Sequence, residues 1–406
     1  MSKKRIYLDH AATTPVRPEV IEAMQPYFGE VFGNPSSLYR EGRDAKNALD
    51  QSRAVVAKVM NASKPEEIIF TGSGTESDNL AIAGVAHARS AEGKHIVTTT
   101  VEHHAVLHVC KELSKQGFEI TYVPVDGFGK VKMDALKAAI RPDTIIVSIM
   151  YANNEIGTIN PMAEIVKLVK SVNPKTYVHT DACQAAGYLS LDVKALGVDL
   201  LTINGSKIYG PKGVGALYIK TGTKIKPVIH GGGQERNLRS GTESTPLIVG
   251  FATALSMAND EKEAESARLI PLRDKLINGM LKSLGKAILN GHPTDRLPNN
   301  VNVTVLDVEG EAMLFYLDEE GIAASTGSAC TSGTLDPSHV ILATGLPYEA
   351  AHGSLRFTLG RSTTDADIDH VLAVLPGIIE RLRDISPANI DMNDFMKKVN
   401  LIRQTA

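Results

Sequence analysis

Cys330 lies in the run ASTGSACTSG, residues 324–333, where every neighbour is small or hydroxylated. A free cysteine is usually buried and inert, whereas a nucleophilic thiol must be exposed and able to reach its target. A loop of small residues permits that reach; an ordinary surface thiol is the plainer alternative. Lys207 lies in TINGSKIYGPKG, residues 202–213, where an apolar strand runs straight into a lysine flanked by glycines. A lysine held at a strand end among short side chains can lose its proton and attack a carbonyl carbon. A surface lysine in a turn is the alternative, and Lys212, in Pro-Lys-Gly, suits such a turn better. Asp181 ends the apolar run in YVHTDACQAAG, residues 177–187. A carboxylate there could hold the protonated nitrogen of a pyridine ring, or cap the next helix. Gln184, one turn on, can reach toward the same place.

Three other stretches have polar groups at meaningful spacing. In FTGSGTESDNLAI, residues 70–82, a strand ends in a Gly/Ser/Thr loop and a helix starts near Thr75. Bare N–H groups at the positive end of a helix suit a phosphate; Ser73 or Thr75 acting only as a cap is the competing reading. The loop lacks the Gly-Lys-Ser/Thr of a P-loop and the spacing of a dinucleotide fingerprint. In VEHHAVLHVC, residues 101–110, His103 stands at a helix start and could stack on a planar ring. His104 and His108 are four apart, but the glutamate of the His-Glu-x-x-His pattern is missing, so no metal site is expected. Cys110 falls on the apolar stripe of that helix and reads as core. HGGGQERNLRSGT, residues 230–242, has the look of an oxyanion loop. No Gly-x-Ser-x-Gly occurs anywhere to supply a nucleophile elbow, so Arg239, Ser240 and Thr242 read as anion contacts.

Alternating elements must position these groups. The runs EIIFTG, HIVTTT, EITYVPV, TIIVSIMYAN, TYVHTDA, DLLTING and VGALYIK read as strands, several separated by helical stretches. That order predicts an α/β domain with a largely parallel sheet. Beyond residue 250 a long charged helix, about 250–285, leads to NNVNVTVLDV, GIAASTG and SLRFTLG. Their wider spacing predicts a smaller α+β domain. The short run RIYLD near the start could join either. With 406 residues, two or three domains fit. A net charge of -3 gives no electrostatic footprint for nucleic acid or an anionic membrane. No apolar run approaches a membrane span, and no secretory signal is visible. Three cysteines make no disulfide framework, which points to a reducing cytoplasm.

Taken in order, GSGTES, EHHAV, NNEIG, HTDACQ, SKIYGPKG, RSGT, STGSACTSG and LRFTLGR resemble the NifS/IscS-type cysteine desulfurases. The likeness runs from YLDHAATTP at residue 7 to RLRDISP near residue 387, almost the whole chain. It implies the fold-type-I architecture of pyridoxal 5'-phosphate enzymes. That architecture has a seven-stranded, mostly parallel sheet in a large domain (16–260) and a small domain from both chain ends (1–15 and 261–406), and it forms a homodimer. By resemblance, Lys207 is the Schiff-base lysine, Asp181 pairs with the ring nitrogen and Gln184 touches the ring oxygen. His103 stacks on the ring and moves protons. Gly74, Thr75, Asn204 and Ser206, with Thr242 of the partner subunit, hold the phosphate. Asn154 and Arg356 bind the substrate carboxylate, Arg356 as a bidentate fork. Cys330 as thiolate takes sulfur from L-cysteine, leaving alanine and an enzyme persulfide. Any contact with an iron–sulfur cluster would come through Cys330 alone.

The sequence departs from the family at the lysine turn. The usual pattern is Ser-x-His-Lys; here Asn204-Gly205-Ser206-Lys207 stands instead. Both replacements can still donate hydrogen bonds. Cys183, between Asp181 and Gln184, reads as a small packing residue. The resemblance implies an iron–sulfur scaffold or another sulfur acceptor as partner. A selenocysteine lyase, an aminotransferase, or a non-enzymatic sulfur carrier with a decayed cofactor site would also accommodate these motifs. The C-terminal run ANIDMNDFMKKVNLIRQTA has apolar residues near helical spacing and is expected to pack as a terminal helix or dock on an acceptor.

Overall fold

The computed structural model describes residues 4–327 and 336–404. Its strands are β1 (Ile6–Tyr7), β2 (Ile68–Thr71), β3 (His95–Thr99), β4 (Glu119–Val123), β5 (Thr144–Ser148) and β6 (Tyr177–Asp181). They continue with β7 (Leu200–Asn204), β8 (Gly215–Ile219), β9 (Ala287–Leu289), β10 (Asn300–Val305), β11 (Ile322–Ala323) and β12 (Ser354–Thr358). Every strand expected from the sequence forms. β9 was not expected, because three residues after a helix give too short a pattern to read.

One seven-stranded sheet has the order β2-β8-β7-β6-β5-β3-β4. The β7, β6, β5, β3 and β4 pairings are all parallel, and only β8 runs against its neighbours. Successive side chains on a strand point to opposite faces. The sheet uses this strictly. Phe70, Val97, Leu201 and Ala216 face one apolar cluster. Ile69, Ile96, Leu200 and Leu217, each one residue away, face another. The helices Arg40–Val59 and Met162–Val172 cover the first face with Leu49, Val56, Ile165 and Val169. The helices Gly74–Arg89 and His104–Lys115 cover the second with Leu80, Ile82, Val106 and Cys110. Both faces are therefore dry, as parallel sheets require.

β12, β10 and β9 form a separate antiparallel sheet with its own core, built on Val301, Val303 and Phe357. The predicted long helix spans Thr245–Ser283 and belongs to both cores. Its first part gives Ile248, Phe251 and Leu255 to the large-sheet core; its second gives Leu269, Leu276 and Met280 to the small one. A single rod thus couples the two. β1 pairs with β11 in parallel, Ile6 opposite Ile322, so the chain's start joins the smaller body. The terminal helix Met392–Gln404 lays Phe395 and Val399 against Met150, Ile156 and Ile341. It packs on the protein itself. Among the described residues, no helix is long and apolar enough to cross a membrane.

Candidate active site

A cavity of about 320 Å³ opens at the carboxyl ends of the parallel strands, the edge where such sheets bind ligands. Gly74 and Thr75 follow β2, His103 follows β3 and Asn154 follows β5. Asp181 ends β6, and Asn204, Ser206 and Lys207 end or follow β7. Gln184 and Arg356 complete the lining. Ten residues singled out from the sequence thus meet in one place. Thr242 is exposed and does not line it. Cys330 lies outside the described residues, although Gly327, three positions earlier, lines the cavity. Lys212 points elsewhere, to the carbonyl of Thr14 at 3.1 Å.

Backbone geometry fixes the lysine. Gly205–Lys207 form a single 3-10 turn directly after β7. Thr14 clasps that turn. Its amide and hydroxyl donate to the Ser206 carbonyl at 2.9 and 3.0 Å, and its Oγ1 accepts from the Tyr209 amide at 2.8 Å. Tyr209 sits at φ 61, a strained backbone for a bulky residue. Lys207 Nζ donates to the Ala12 carbonyl. Thr14 belongs to the YLDHAATTP motif, whose role in holding the lysine turn the sequence did not reveal.

One end of the cavity suits a phosphate. Ser73 caps the Gly74–Arg89 helix, accepting from the Glu76 amide at 3.1 Å. The cap forms as the sequence offered, and it leaves the other N–H groups of the helix start unused by the Ser73 side chain. Glu76 does not close a capping box; its carboxyl takes the Gly72 amide and Arg239 instead. Gly74 is required by close approach. A Cβ there would lie 2.7 Å from Cys183 Sγ and 3.1 Å from Asn204 Nδ2. The Asn204 amide thus sits at the helix start. Ser206 Oγ contacts Asn204 Oδ1 at a long 3.5 Å.

On the floor, Asp181 Oδ1 accepts from the Cys183 amide at 2.9 Å. Burial and the field of Asp181 push the Cys183 thiol well up, so it stays protonated and inert. Cys110 is buried likewise and pushed up to about 12. Behind the floor, burial, then Asp181, raises Asp78 well above the usual carboxylate range. Burial also raises Glu102 to about 8, against the pull of its hydrogen bonds from Thr99 and Met150. His179 is driven down to about 4 by burial. Asp78 lies 3.6 Å away, and burial disfavours the charged form of both partners. Ser148 and Thr202 hydroxyls meet its two ring nitrogens at 2.9 and 3.0 Å. His103 caps its helix through Nδ1, which accepts from the Ala105 amide at 3.1 Å. That bond fixes the neutral tautomer with its proton on Nε2.

The opposite wall comes from the smaller body. Arg356, buried on β12, donates to the Asn154 carbonyl at 2.9 Å, the Gly327 carbonyl at 3.3 Å and Asp9 Oδ1 at 2.8 Å. The fork expected for a substrate carboxylate is thus engaged by Asp9 on one arm and by two backbone carbonyls on the other. Arg356 Nε and Asn154 Oδ1 are buried without a hydrogen-bond partner. Such orphaned groups carry a cost unless a ligand satisfies them.

The aminotransferase class-V family model matches residues 6–371. Fold and site thus define a pyridoxal-phosphate enzyme of that family. Within it, the chain is 54% identical to the cysteine desulfurase IscS of Methanosarcina thermophila over 95% of this chain and 94% of the relative. It is equally 54% identical to IscS of Dictyoglomus turgidum, over 95% and 97%. The solved structure of a NifS-like protein superposes with a TM-score of 0.88 at 38% identity, covering 93% of this chain and all of the other. The chain belongs to the class-V aminotransferases and, within them, to the cysteine desulfurases.

The residues present fit pyridoxal phosphate. A helix N-terminus with the Asn204 amide and Ser206 hydroxyl waits at one end. A lysine, an aspartate and an arginine with an unpartnered Nε line the same cavity. The Asn204/Ser206 departure keeps two hydrogen-bonding side chains in the cavity.

Proposed function

We propose that this chain converts L-cysteine to L-alanine and collects the sulfur on Cys330 as a persulfide. The convergence of Lys207, Asp181 and Arg356 on one cavity carries this reading. Bound pyridoxal phosphate supplies an electron sink for the pair left when the substrate's α-proton departs. Lys207 would hold the cofactor covalently, and its amine would serve as the base for that proton. Asp181 keeps the ring nitrogen protonated, and Gln184 bonds the ring oxygen. His103 stacks on the ring and moves protons at Nε2, because Nδ1 is committed to its helix cap. Gly74, Thr75, Asn204 and Ser206 hold the phosphate, with Thr242 of the partner subunit. Asn154 and Arg356 take the substrate carboxylate, which can accept from the orphaned Arg356 Nε. The Cys330 thiolate then attacks the substrate sulfur.

The assembly in this reading is a homodimer. Thr242 supports it, being exposed on its own chain and outside that chain's cavity. The division into residues 16–260 and 1–15 with 261–406 is supported by the two cores, which change over between Leu255 and Leu269. The protein works in the cytoplasm and passes sulfur to an iron–sulfur scaffold or another acceptor. The test is alanine and sulfide release from L-cysteine. Cys330→Ala and Lys207→Ala should each lose about 10³-fold or more, as expected for covalent catalysts. Full activity in Cys330→Ala would sink the persulfide step.

A further inference from the structure

The segment from Asp9 to Thr14 reaches Arg356, Gln184 and Lys207 in turn. Asp9 takes Arg356. The Ala11 carbonyl accepts from Gln184 Nε2 at 3.0 Å, and the Ala12 carbonyl accepts from Lys207 Nζ. Thr14 holds the turn that carries the lysine. Ala11 and Ala12 have no side chain long enough to anchor them. The only bulky side chain between Asp9 and Thr14 is that of His10, which is 2% exposed. Its ring meets Tyr7 edge-on, with centroids 4.9 Å apart, and Tyr209 at 5.8 Å. Its Nδ1 lies 3.2 Å from the Tyr209 hydroxyl, which also accepts from the Arg361 amide at 2.8 Å. A Cβ at Gly360 would come within 2.3 Å of both the His10 ring and that hydroxyl, so only glycine fits there. Burial drives His10 down to about 4, which keeps the wedge uncharged at neutral pH.

We propose that His10 is a positioning residue for Lys207: its ring, wedged between Tyr209 and Gly360, fixes the segment whose Ala12 carbonyl receives the lysine amine. The inference rests on Lys207 being the residue that bonds the cofactor. In that bond the amine nitrogen adds to the cofactor's aldehyde carbon. The aldehyde oxygen leaves as water with the two hydrogens of the amine, so nothing is oxidised or reduced. Such an addition depends steeply on placement, and a displacement of about 1 Å can cost about 10²-fold. His10 acts only through the segment, because Ala11 and Ala12 line the cavity and His10 does not. The phosphate end is built on another element, the Gly74–Arg89 helix. Binding the cofactor and bonding it should therefore separate when His10 is changed.

The experiment strips the full chain of cofactor, mixes it rapidly with pyridoxal 5'-phosphate and follows the lysine-bound form by its visible absorption. Pyridoxamine 5'-phosphate has an amine in place of the aldehyde and cannot bond a lysine, so its equilibrium binding reports the cavity alone. In His10→Ala the bond should form about 10-fold more slowly or worse, while pyridoxamine phosphate affinity stays within about 3-fold of wild type. His10→Phe, which keeps a flat ring in the wedge, should restore bond formation to within about 3-fold. The proposal is overturned if His10→Ala bonds the cofactor at the wild-type rate. It is equally overturned if pyridoxamine phosphate affinity falls in parallel, since that marks general loss of the cavity. Should His10→Ala not fold, Gly360→Ala carries the test, because its Cβ drives the ring from its place. Bond formation should then slow about 3-fold or more with pyridoxamine phosphate affinity unchanged; no slowing overturns the proposal. Lys207→Ala separates the two claims. If it still develops the lysine-bound absorption, the parent reading fails; if it does not while His10→Ala is normal, only the role of His10 fails.

Discussion

The floor and the outer wall of the cavity are held in different ways. On the floor, Asp181 and Lys207 sit at the ends of β6 and β7, neighbouring strands pinned by a core on each face of the sheet. On the wall, Arg356 reaches from β12 to Asp9, 347 residues away in sequence, and to the carbonyls of Asn154 and Gly327. The floor lies between two apolar cores; Arg356 stands on a strand with a core of its own, but polar bonds to distant segments aim its side chain. Chemistry that needs fixed alignment with a ring is thus placed on the rigid part. Recognition of a small substrate is placed where one body meets another.

This contrast can be broken by substitution, starting on the floor. Asp181→Asn should lower kcat by about 10³-fold while KM stays within about 3-fold. Steady-state alanine formation checks it, and a dominant KM effect would erase the division of labour. On the wall, Arg356→Ala should lower kcat/KM by about 10²-fold, mostly through KM. Arg356→Lys should rescue little, because a point charge cannot bridge Asp9 and two carbonyls at once.

A third measurement sharpens the contrast through pH. Glu102, behind the floor, keeps its proton to about pH 8 in the fold, against an ordinary value of 4.5. A carboxyl raised in the folded state gives stability that is whole below pH 4.5 and lost as pH rises through 8. Between those limits wild type should therefore lose stability relative to Glu102→Gln, by up to about 1.4 kcal/mol per pH unit for one proton. Urea midpoints at pH 5, 6, 7 and 8 test this, and parallel profiles would mean Glu102 is ionised in the fold. The smallest effect is expected at Cys183→Ala, with activity within about 3-fold of wild type. A loss above tenfold would make Cys183 part of the chemistry.

The floor was legible in the sequence because each of its groups follows a strand whose apolar run announces itself. Local pattern placed Lys207 after TINGS and Asp181 after YVHT at strand ends, while the choice between a turn lysine or helix cap and a cofactor role came from the resemblance. The wall was less so. Arg356 was named from the resemblance, but its engagement by Asp9 was not foreseen, since nothing local links two residues so far apart. The contacts that Thr14 and His10 make with Tyr209 were likewise invisible, although both stand inside a motif that had been quoted. Glu102 and Asp78 gave no sign of their raised acidity constants, which come from burial on all sides rather than from spacing. At the Ser73 loop the structure shows the cap, which engages only the Glu76 amide, so the cap does not by itself exclude an anion at the same helix end.

The pairing of β1 with β11 has a consequence for how the molecule is made. A ribosome delivers Ile6 and Asp9 first, and Ile322 and Arg356 only near the end. Domains fold as they emerge, N-terminal parts first, so the seven-stranded sheet can assemble while the opening residues still wait for their partners. Enzyme competence then arrives late, once residues 322–356 emerge and let β1 and Asp9 find their partners.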